Sequence, residues 1–171
     1  MECFQLRDSH QLRFHGHQLP RADVIKTFGK PKSEDFPEGD SEGEPGAEWW
    51  MVYDSAEVCG KSGQVIVVLN ERTAIVRHVL FYPLEMKRSE VISAFGKDFI
   101  ITQYDFEPCD EENGGGARLY ESKEGNLRFL EYRSKGIAVS FDAMEPEKVS
   151  EIQFVSKPIG SDVSQCRTTA Q

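Results

Sequence analysis

The sequence predicts an α+β protein: two tandem repeats, each a helix plus an antiparallel meander, that share one curved sheet with both helices on one face. The first observation is that residues 19–30 return 67 residues later as residues 86–97, with Val-Ile-x-x-Phe-Gly-Lys common to both. The second is a further match at the same offset, between residues 52–55 and residues 119–122. The third is that strand-like apolar stretches, separated by turn residues, follow each segment. Two separated matches at one offset indicate a duplication.

The first repeat is predicted to cover residues 1–83. It opens with a lead-in strand over residues 3–16 and continues into a helix from about Pro20 to Phe28. Pro20 suits the first turn of a helix, because its missing N–H would have no partner there, and Gly29 suits the end. Three strands are predicted after this helix: 48–54, 63–70 and 74–82.

The second repeat is predicted to cover residues 84–158. Its helix carries the same apolar stripe and ends at Phe95, immediately before Gly96. Five strands are predicted after it: 99–104, 117–122, 126–133, 136–142 and 149–157. Residues 159–171 are polar and show little periodicity, which predicts a disordered tail.

Strand alternation assigns the side chains of the aromatic strands to two faces. The repeat alignment places Val52 and Leu119 in equivalent positions, which we expect to lie toward the helices. Tyr53 and Tyr120 would then lie on the opposite face. Four further residues are assigned to that face or beside it: Trp49, Trp50 and Met51 in the first repeat and Arg118 in the second. An aromatic sheet face is typical of a binding surface, although aromatic residues are also ordinary strand formers and core residues.

Two acidic segments follow the helices at equivalent places. Residues 34–48 contain seven Asp or Glu and no Lys or Arg, and residues 105–112 contain five acids. The whole chain has a net charge of −9. Such a surface repels phosphate backbones, which argues against nucleic acid as a partner, and it accelerates the capture of basic proteins. The acidic residues predicted to rim the aromatic face are Asp40, Glu42, Glu44, Asp110 and Glu111.

No motif for catalysis or cofactor binding has the context that it requires. Residues 59–63 contain the Gly-Lys-Ser of a phosphate-binding loop, but the first glycine of that motif is missing and a strand follows, so we predict a hairpin turn. His10, His15 and His17 lie close together, and His15 and His17 would share one face of a strand and could present two imidazoles to zinc. His10 or Cys3 could approach as a third ligand, but none is obvious, and surface histidines are the preferred interpretation. Residues 38–44 lack the spacing of an EF-hand calcium loop. We therefore expect no enzyme, no cofactor and no metal centre.

The four cysteines, Cys3, Cys59, Cys109 and Cys166, form no C-x-x-C pair. Three pairings are possible in an oxidising compartment, and reduced thiols in the cytosol are the preferred interpretation. No apolar stretch is long enough to span a bilayer, and the first residues lack the apolar core of a signal peptide. As written, the chain is expected to be cytoplasmic; a periplasmic or secreted location is the alternative if a signal segment has been removed.

The order of these residues resembles a known repeat unit. Val-Ile-x-x-Phe-Gly-Lys-Pro, a polar loop and Trp-x-x-Tyr are similar to the unit of the β-lactamase inhibitory proteins and of the small outer-membrane lipoproteins of the barrel-assembly machinery. The residues that carry the match are Gly29, Pro31, Trp50 and Tyr53 in the first repeat and Gly96 and Tyr120 in the second. The second repeat departs from the unit at Asp98 and at residues 116–117. The resemblance implies a tandem pair whose concave sheet grips another protein.

These observations predict a non-catalytic protein-binding module of inhibitor or immunity type. Its partner would be a basic or cleft-bearing protein, which the module would occlude. The residues predicted to contact this partner are Trp49, Trp50, Tyr53, Tyr120 and Arg118, together with the five acidic residues named above. The alternative is a structural, lipoprotein-like component of the bacterial envelope.

Overall fold

The computed structural model describes residues 19–35, 48–105, 118–121 and 129–155, with the backbone alone for residues 103–105 and 118–121. Several predicted features lie outside these residues. They are the lead-in strand over 3–16, the tail over 159–171 and most of the two acidic segments.

The described chain contains two α-helices, a 3-10 helix at Arg133–Lys135 and nine strands. The α-helices are α1 (Arg21–Phe28) and α2 (Arg88–Phe95). The strands are β1 (Ser33–Asp35), β2 (Glu48–Val58), β3 (Lys61–Asn70), β4 (Ile75–Pro83), β5 (Ile100–Asp105), β6 (Arg118–Glu121), β7 (Phe129–Tyr132), β8 (Ile137–Phe141) and β9 (Val149–Val155). The α+β class is therefore confirmed. Each predicted strand within the described residues is present, and β1 is an additional strand that the sequence did not predict.

The nine described strands form one antiparallel sheet. Their order is β1-β2-β3-β4-β9-β8-β7-β5-β6. Strands β4 and β9 lie side by side near the middle, where Val79 is paired with Phe154 and Phe81 with Ile152. The sheet is thus continuous across the junction between the first and second halves of the chain.

The first turn of each helix is hydrogen-bonded to the loop that comes directly before the last strand of the same half, β4 for α1 and β9 for α2. At the start of α1, the Arg21 N–H donates to the Ala74 carbonyl at 3.0 Å. At the start of α2, the Arg88 N–H donates to the Glu147 carbonyl at 2.8 Å. Helices of eight residues are not stable alone, so these backbone contacts and side-chain packing must hold them in place.

Cross-strand pairing assigns the sheet residues to two faces, because residues directly opposite each other lie on the same side. One face, called the core face here, is buried in the hydrophobic core. Its members are Met51, Tyr53, Val65, Val67, Val79, Phe81, Leu130, Tyr132, Ile137, Val139, Ile152 and Phe154. The opposite face carries apolar residues in the first half of the chain, and it is called the Trp50 face. Its members are Trp50, Val52, Ile66, Val68, His78 and Leu80.

The turn between β2 and β3 consists of Cys59 and Gly60, whose φ angles are 55° and 71°. Positive φ at both central residues is the geometry that suits a two-residue hairpin. Strand β3 starts directly after it, at Lys61. The prediction of a hairpin turn in place of a phosphate-binding loop is therefore confirmed, but the turn is limited to residues 59–60, and Lys61, Ser62 and Gly63 belong to β3.

Candidate functional site

Tyr53 lies on the core face, so the predicted orientation of this strand is wrong. Its side chain is only 5% exposed. The Tyr53 hydroxyl donates to the carbonyl of Gly29 at 3.3 Å, and its ring centroid lies 5.3 Å from that of Phe28. Burial raises the pKa of Tyr53 to about 12. A buried side chain that closes the end of α1 is a structural residue and offers no surface to a partner.

Met51 and Val52 are also on the faces opposite to those predicted. Met51 is fully buried beside Tyr53, and Val52 belongs to the Trp50 face. Successive side chains of β2 alternate between the two faces of the sheet as expected, but each lies on the face opposite to the predicted one.

Trp49 lies at the α1 side of the sheet, where a cation covers its ring. The Arg21 guanidinium carbon lies 4.8 Å from the centre of the Trp49 ring. The same guanidinium donates to Glu34 at 2.7 and 3.0 Å. Trp49 therefore contributes to the seam between α1 and the start of the sheet.

Trp50 is the predicted contact residue that the structure places on the face opposite the core. It is paired with Val68 on β3, while its neighbour Val52 is paired with Ile66, which is in turn paired with Leu80. These side chains are partly buried, except Val68, which is fully buried. Their contiguity produces an apolar strip across three strands, which is the type of surface that protein interfaces use.

A hydrogen-bonded cluster closes one end of the Trp50 face. The Arg77 guanidinium donates to Glu48 at 3.0 Å, and the Trp50 indole N–H donates to the other oxygen of Glu48 at 3.4 Å. A β-bulge makes this possible, because Val68 is paired with His78 whereas Leu69 is paired with Val76, which leaves Arg77 as the extra residue. Bulges commonly redirect a side chain in this way. Glu48 thereby orients both the cation and the indole.

His78 lies within the Trp50 face, between Val68 on β3 and Val155 on β9. Its side chain is partly buried. Burial is the largest effect and lowers the pKa of His78; Glu48 opposes this shift, Arg77 adds to it and Glu151 opposes it. We therefore expect an uncharged imidazole at neutral pH, which is compatible with its apolar neighbours.

The second half of the same sheet side is polar. Leu80 is paired with Gln153. The Tyr82 side chain is hydrogen-bonded to Glu151. Glu131, only 7% exposed, contacts Arg133 at 3.0 Å. Burial and the hydrogen bond to Glu151 raise the pKa of Tyr82 above its ordinary value. The apolar strip is thus confined to the first half.

Tyr120 and Arg118 lie on β6, the last of the described strands in the sheet order. Their backbone pairs with Gln103 and Asp105 of β5, respectively. β2 and β6 are separated by six strands in the sheet order, so the structure does not bring this pair together with Trp49 and Trp50. The acidic residues predicted to rim the site are Asp40, Glu42, Glu44, Asp110 and Glu111, and all of them lie outside the described residues.

Cys59 is disulfide-bonded, so the preference for reduced thiols was wrong for this residue. The other three cysteines, Cys3, Cys109 and Cys166, lie outside the described residues. The Cys59 side chain is partly buried and packs against the core at the tip of the β2–β3 hairpin.

A second surface feature lies where β4 leads into α2. Here an open cleft of about 790 Å³ is lined by residues 84–87, by Ser89 and by residues 145–148. Leu84 in this cleft is 73% exposed, and Met144 near it in sequence is 90% exposed. The cleft mixes glutamates and lysines, so it presents no single charge to a ligand.

Among the described residues, no group of three or more His, Cys, Asp or Glu side chains is placed to hold a metal ion. The histidines considered for zinc, His10, His15 and His17, lie outside those residues. Neither of the two described α-helices has the length and apolar character to cross a membrane.

No family model, no curated protein and no solved structure matches the chain.

Proposed function

We propose that the chain is a non-catalytic protein-binding module of inhibitor or immunity type, with the Trp50 face as its docking surface. The observation that carries this proposal is the apolar strip formed by Trp50, Val52, Ile66 and Leu80 on the side of the sheet opposite Tyr53. Binding sites are organised around a large aromatic anchor with aliphatic neighbours, surrounded by a polar rim. Here Trp50 is the anchor, and Glu48, Arg77, Gln153 and Glu151 provide the rim.

The proposal includes the predicted arrangement of both helices on one face. Its support is that α1 and α2 each contact a tyrosine of the core face. Tyr132 donates to the carbonyl of Gly96 at 3.0 Å, as Tyr53 does to Gly29. With both helices there, the Trp50 face has no helix of the described chain to cover it.

We also propose that the two halves arose by duplication. Cross-strand neighbours support this: the first half contains the row Tyr53, Val65, Phe81 and the second half the row Tyr132, Ile137, Phe154. The reciprocal pairing of β4 with β9 is what a pseudo-two-fold axis between equivalent strands would produce. In this alignment Tyr132 replaces Tyr120 as the counterpart of Tyr53, and β6 is an insertion in the second half.

The proposed partner is a protein with a basic or cleft-bearing surface. The net charge of −9 supports a basic partner, because opposite charges accelerate encounter and suppress association with acidic proteins. The mechanism would be occlusion, in which a rigid sheet covers the partner's functional surface and needs no chemistry of its own. The likeness to the β-lactamase inhibitory proteins remains a prediction from the sequence.

Two leucine variants test the docking surface. Leu80→Glu places a charge in the centre of the Trp50 face, whereas Leu84→Glu makes the same change at an exposed position beyond the end of β4. Proteins retained from the native source by the wild type, Leu80→Glu and Leu84→Glu forms would be identified by mass spectrometry. The candidate partner would then be purified and titrated with all three forms by calorimetry.

We expect the purified partner to bind the wild-type and Leu84→Glu forms and to lose at least tenfold in affinity for Leu80→Glu. Circular dichroism and thermal melting would verify that Leu80→Glu is folded. A Trp50→Ala variant provides a second measurement if Leu80→Glu is not. Equal affinity for a folded Leu80→Glu form and the wild type would reject the Trp50 face as the docking surface.

The second candidate function is a structural component of the bacterial envelope. The observation that favours it is the disulfide at Cys59, because disulfides form and persist in oxidising compartments outside the cytosol. Fractionation of native cells tests this candidate. Recovery in the envelope fraction, with no soluble partner, would favour it over the inhibitor proposal.

A further inference from the structure

We propose that His78 makes the Trp50 face sensitive to pH, so that the face is apolar and able to dock at neutral pH and becomes charged and hydrated under mildly acidic conditions. This inference rests on the proposed docking function and specifies how the same surface would be regulated.

The position of His78 in the sheet is the first argument. Its cross-strand neighbours on the two adjacent strands are Val68 and Val155, and Val68 is fully buried. An imidazolium between two valines would lose hydration without gaining a direct hydrogen-bond acceptor from either side chain. Protonation is therefore unfavourable unless the surrounding face opens to water.

The charged groups around His78 do not fully offset the cost of burying a protonated imidazole. Among the described residues, Glu48 from β2 and Glu151 from β9 favour the protonated form, and Arg77 on β4 itself opposes it. Glu48 is already engaged by Arg77 and by the Trp50 indole, and Glu151 by Tyr82. The burial of the ring remains the dominant effect and lowers the pKa of His78 below its ordinary value of 6.5.

The shared carboxylate gives the coupling to Trp50. A charged imidazole would attract Glu48 and compete with the Arg77 and Trp50 contacts at 3.0 and 3.4 Å. Loss of the indole contact would free the Trp50 side chain at the edge of the apolar strip. Protonation would thus change both the charge of the face and the position of its aromatic anchor.

The two adjacent tryptophans allow a test on the isolated chain. In a Trp49→Phe form, Trp50 is the single tryptophan, and its emission under excitation selective for tryptophan reports the Trp50 face. We expect its emission maximum to shift to longer wavelength as the pH is lowered from 7.5 to 5, with a midpoint below 6.5. The shift should follow the titration of the His78 ring observed by NMR and should be absent when His78→Gln is added.

A Trp50→Phe form is the matched control, because Trp49 lies beside Arg21 at the α1 side of the sheet. Its emission should show no change that depends on His78 over the same pH range. His78→Leu is a second variant if His78→Gln does not fold, since it retains an uncharged side chain beside the two valines. A Trp50 emission that is unchanged by pH, or that changes equally with and without His78, would overturn the proposal.

The measurement also separates this inference from the docking proposal. It uses no partner, so a missing pH response rejects the switch and leaves the leucine test of docking unaffected. The opposite result is also informative. If the Trp50 emission responds to pH while the Leu80→Glu variant binds the partner normally, the Trp50 face is sensitive to pH but is not the docking surface.

Discussion

The two helices end in the same way, but the hairpins beside them differ. Gly29 and Gly96 follow the helices with φ of 80° and 93°, and each glycine carbonyl accepts a tyrosine hydroxyl. Phe28 and Phe95, the last helical residues, contact those tyrosines with ring centroids 5.3 and 5.6 Å apart. The carbonyls at a helix end lack partners within the helix, and in both halves a sheet residue supplies one.

Beyond the tyrosines the two hairpins diverge. The β2–β3 hairpin continues past Tyr53 through a bulge to Cys59, and Lys61 near its tip contacts Glu90 of α2 at 2.6 Å. The β7–β8 connection instead turns back in a short 3-10 helix, and Lys135 there donates to the Phe95 carbonyl. The first hairpin therefore reaches across to the second half, whereas the second connection reinforces its own helix. Helices that end in the same way are therefore accompanied by hairpins with different roles, one linking the halves and one stabilising its own helix.

The two halves are expected to differ most in the stability that is lost when the phenylalanine at the end of each helix is replaced. Phe95 is buried and also contacts Phe154, whereas Phe28 is partly buried. We expect Phe95→Ala to lower the free energy of unfolding by about 3–5 kcal/mol and Phe28→Ala by about half as much. Chemical denaturation of the two variants measures this. Equal losses would mean that the second helix is no better packed than the first.

Replacing the glycine after either helix by alanine should destabilise the protein by a similar amount. Both have φ and ψ values that side-chain-bearing residues rarely adopt, and both have open space where a Cβ would lie. Gly29→Ala and Gly96→Ala should each cost about 1–3 kcal/mol through backbone strain alone. Lys30→Ala and Lys97→Ala are the neighbouring controls, and a loss at the controls as large as at the glycines would contradict this explanation.

The tyrosine hydroxyls are expected to contribute about 1 kcal/mol each, because substitution by phenylalanine removes the hydrogen bond to the glycine carbonyl. Tyr132→Phe should cost more than Tyr53→Phe, since Tyr132 is fully buried and its bond is shorter. Thermal denaturation of both variants compares them. The reverse ranking would show that the longer bond at Gly29 is the more important one.

The same tyrosines predict an alkaline loss of stability. Burial raises the pKa of Tyr53 and of Tyr132 to about 12, above the ordinary value of 10.0. The unfolded chain therefore loses these protons first, so the contribution is complete below pH 10 and declines as the pH rises toward 12. The double Tyr→Phe variant should show a weaker decline than the wild type, and an identical pH profile would exclude this cause.

The smallest effect on stability is expected at the ion pair between Lys61 and Glu90, which links the first hairpin to the second helix. Hydrogen bonds from Lys61 and from the Lys87 backbone N–H lower the pKa of Glu90. This stabilisation is present above the ordinary pKa of a glutamate and is lost as the pH falls through the lowered value. Lys61→Met should change the melting temperature slightly at pH 7 and reduce its acid dependence, because exposed ion pairs contribute little. A large change at pH 7 would indicate that this contact is essential for joining the halves.

The sequence predicted the elements well because their boundaries have chemical signals. Gly29 and Gly96 mark the helix ends, and the turn at residues 59–60 separates two strand-forming runs. β1 was missed because Ser33, Glu34 and Asp35 are not typical strand formers.

The face of β2 could not be predicted, because residues 49–53 are apolar without interruption. Such a run carries no alternation from which to infer the buried side. Tyr53 is inside because the Gly29 carbonyl gives its hydroxyl a partner, and that contact is visible only in three dimensions. The disulfide at Cys59 likewise depends on which cysteines meet, which their spacing does not determine.

The brevity of β1 has a consequence for the solution behaviour of the protein. Among the described strands it is the outermost on one side of the sheet, and all three of its residues are exposed, two of them acidic. An outer strand this short, with carboxylates along it, is a poor template for strands of neighbouring molecules. We therefore expect this margin of the sheet to resist the edge-to-edge aggregation to which open sheets are prone.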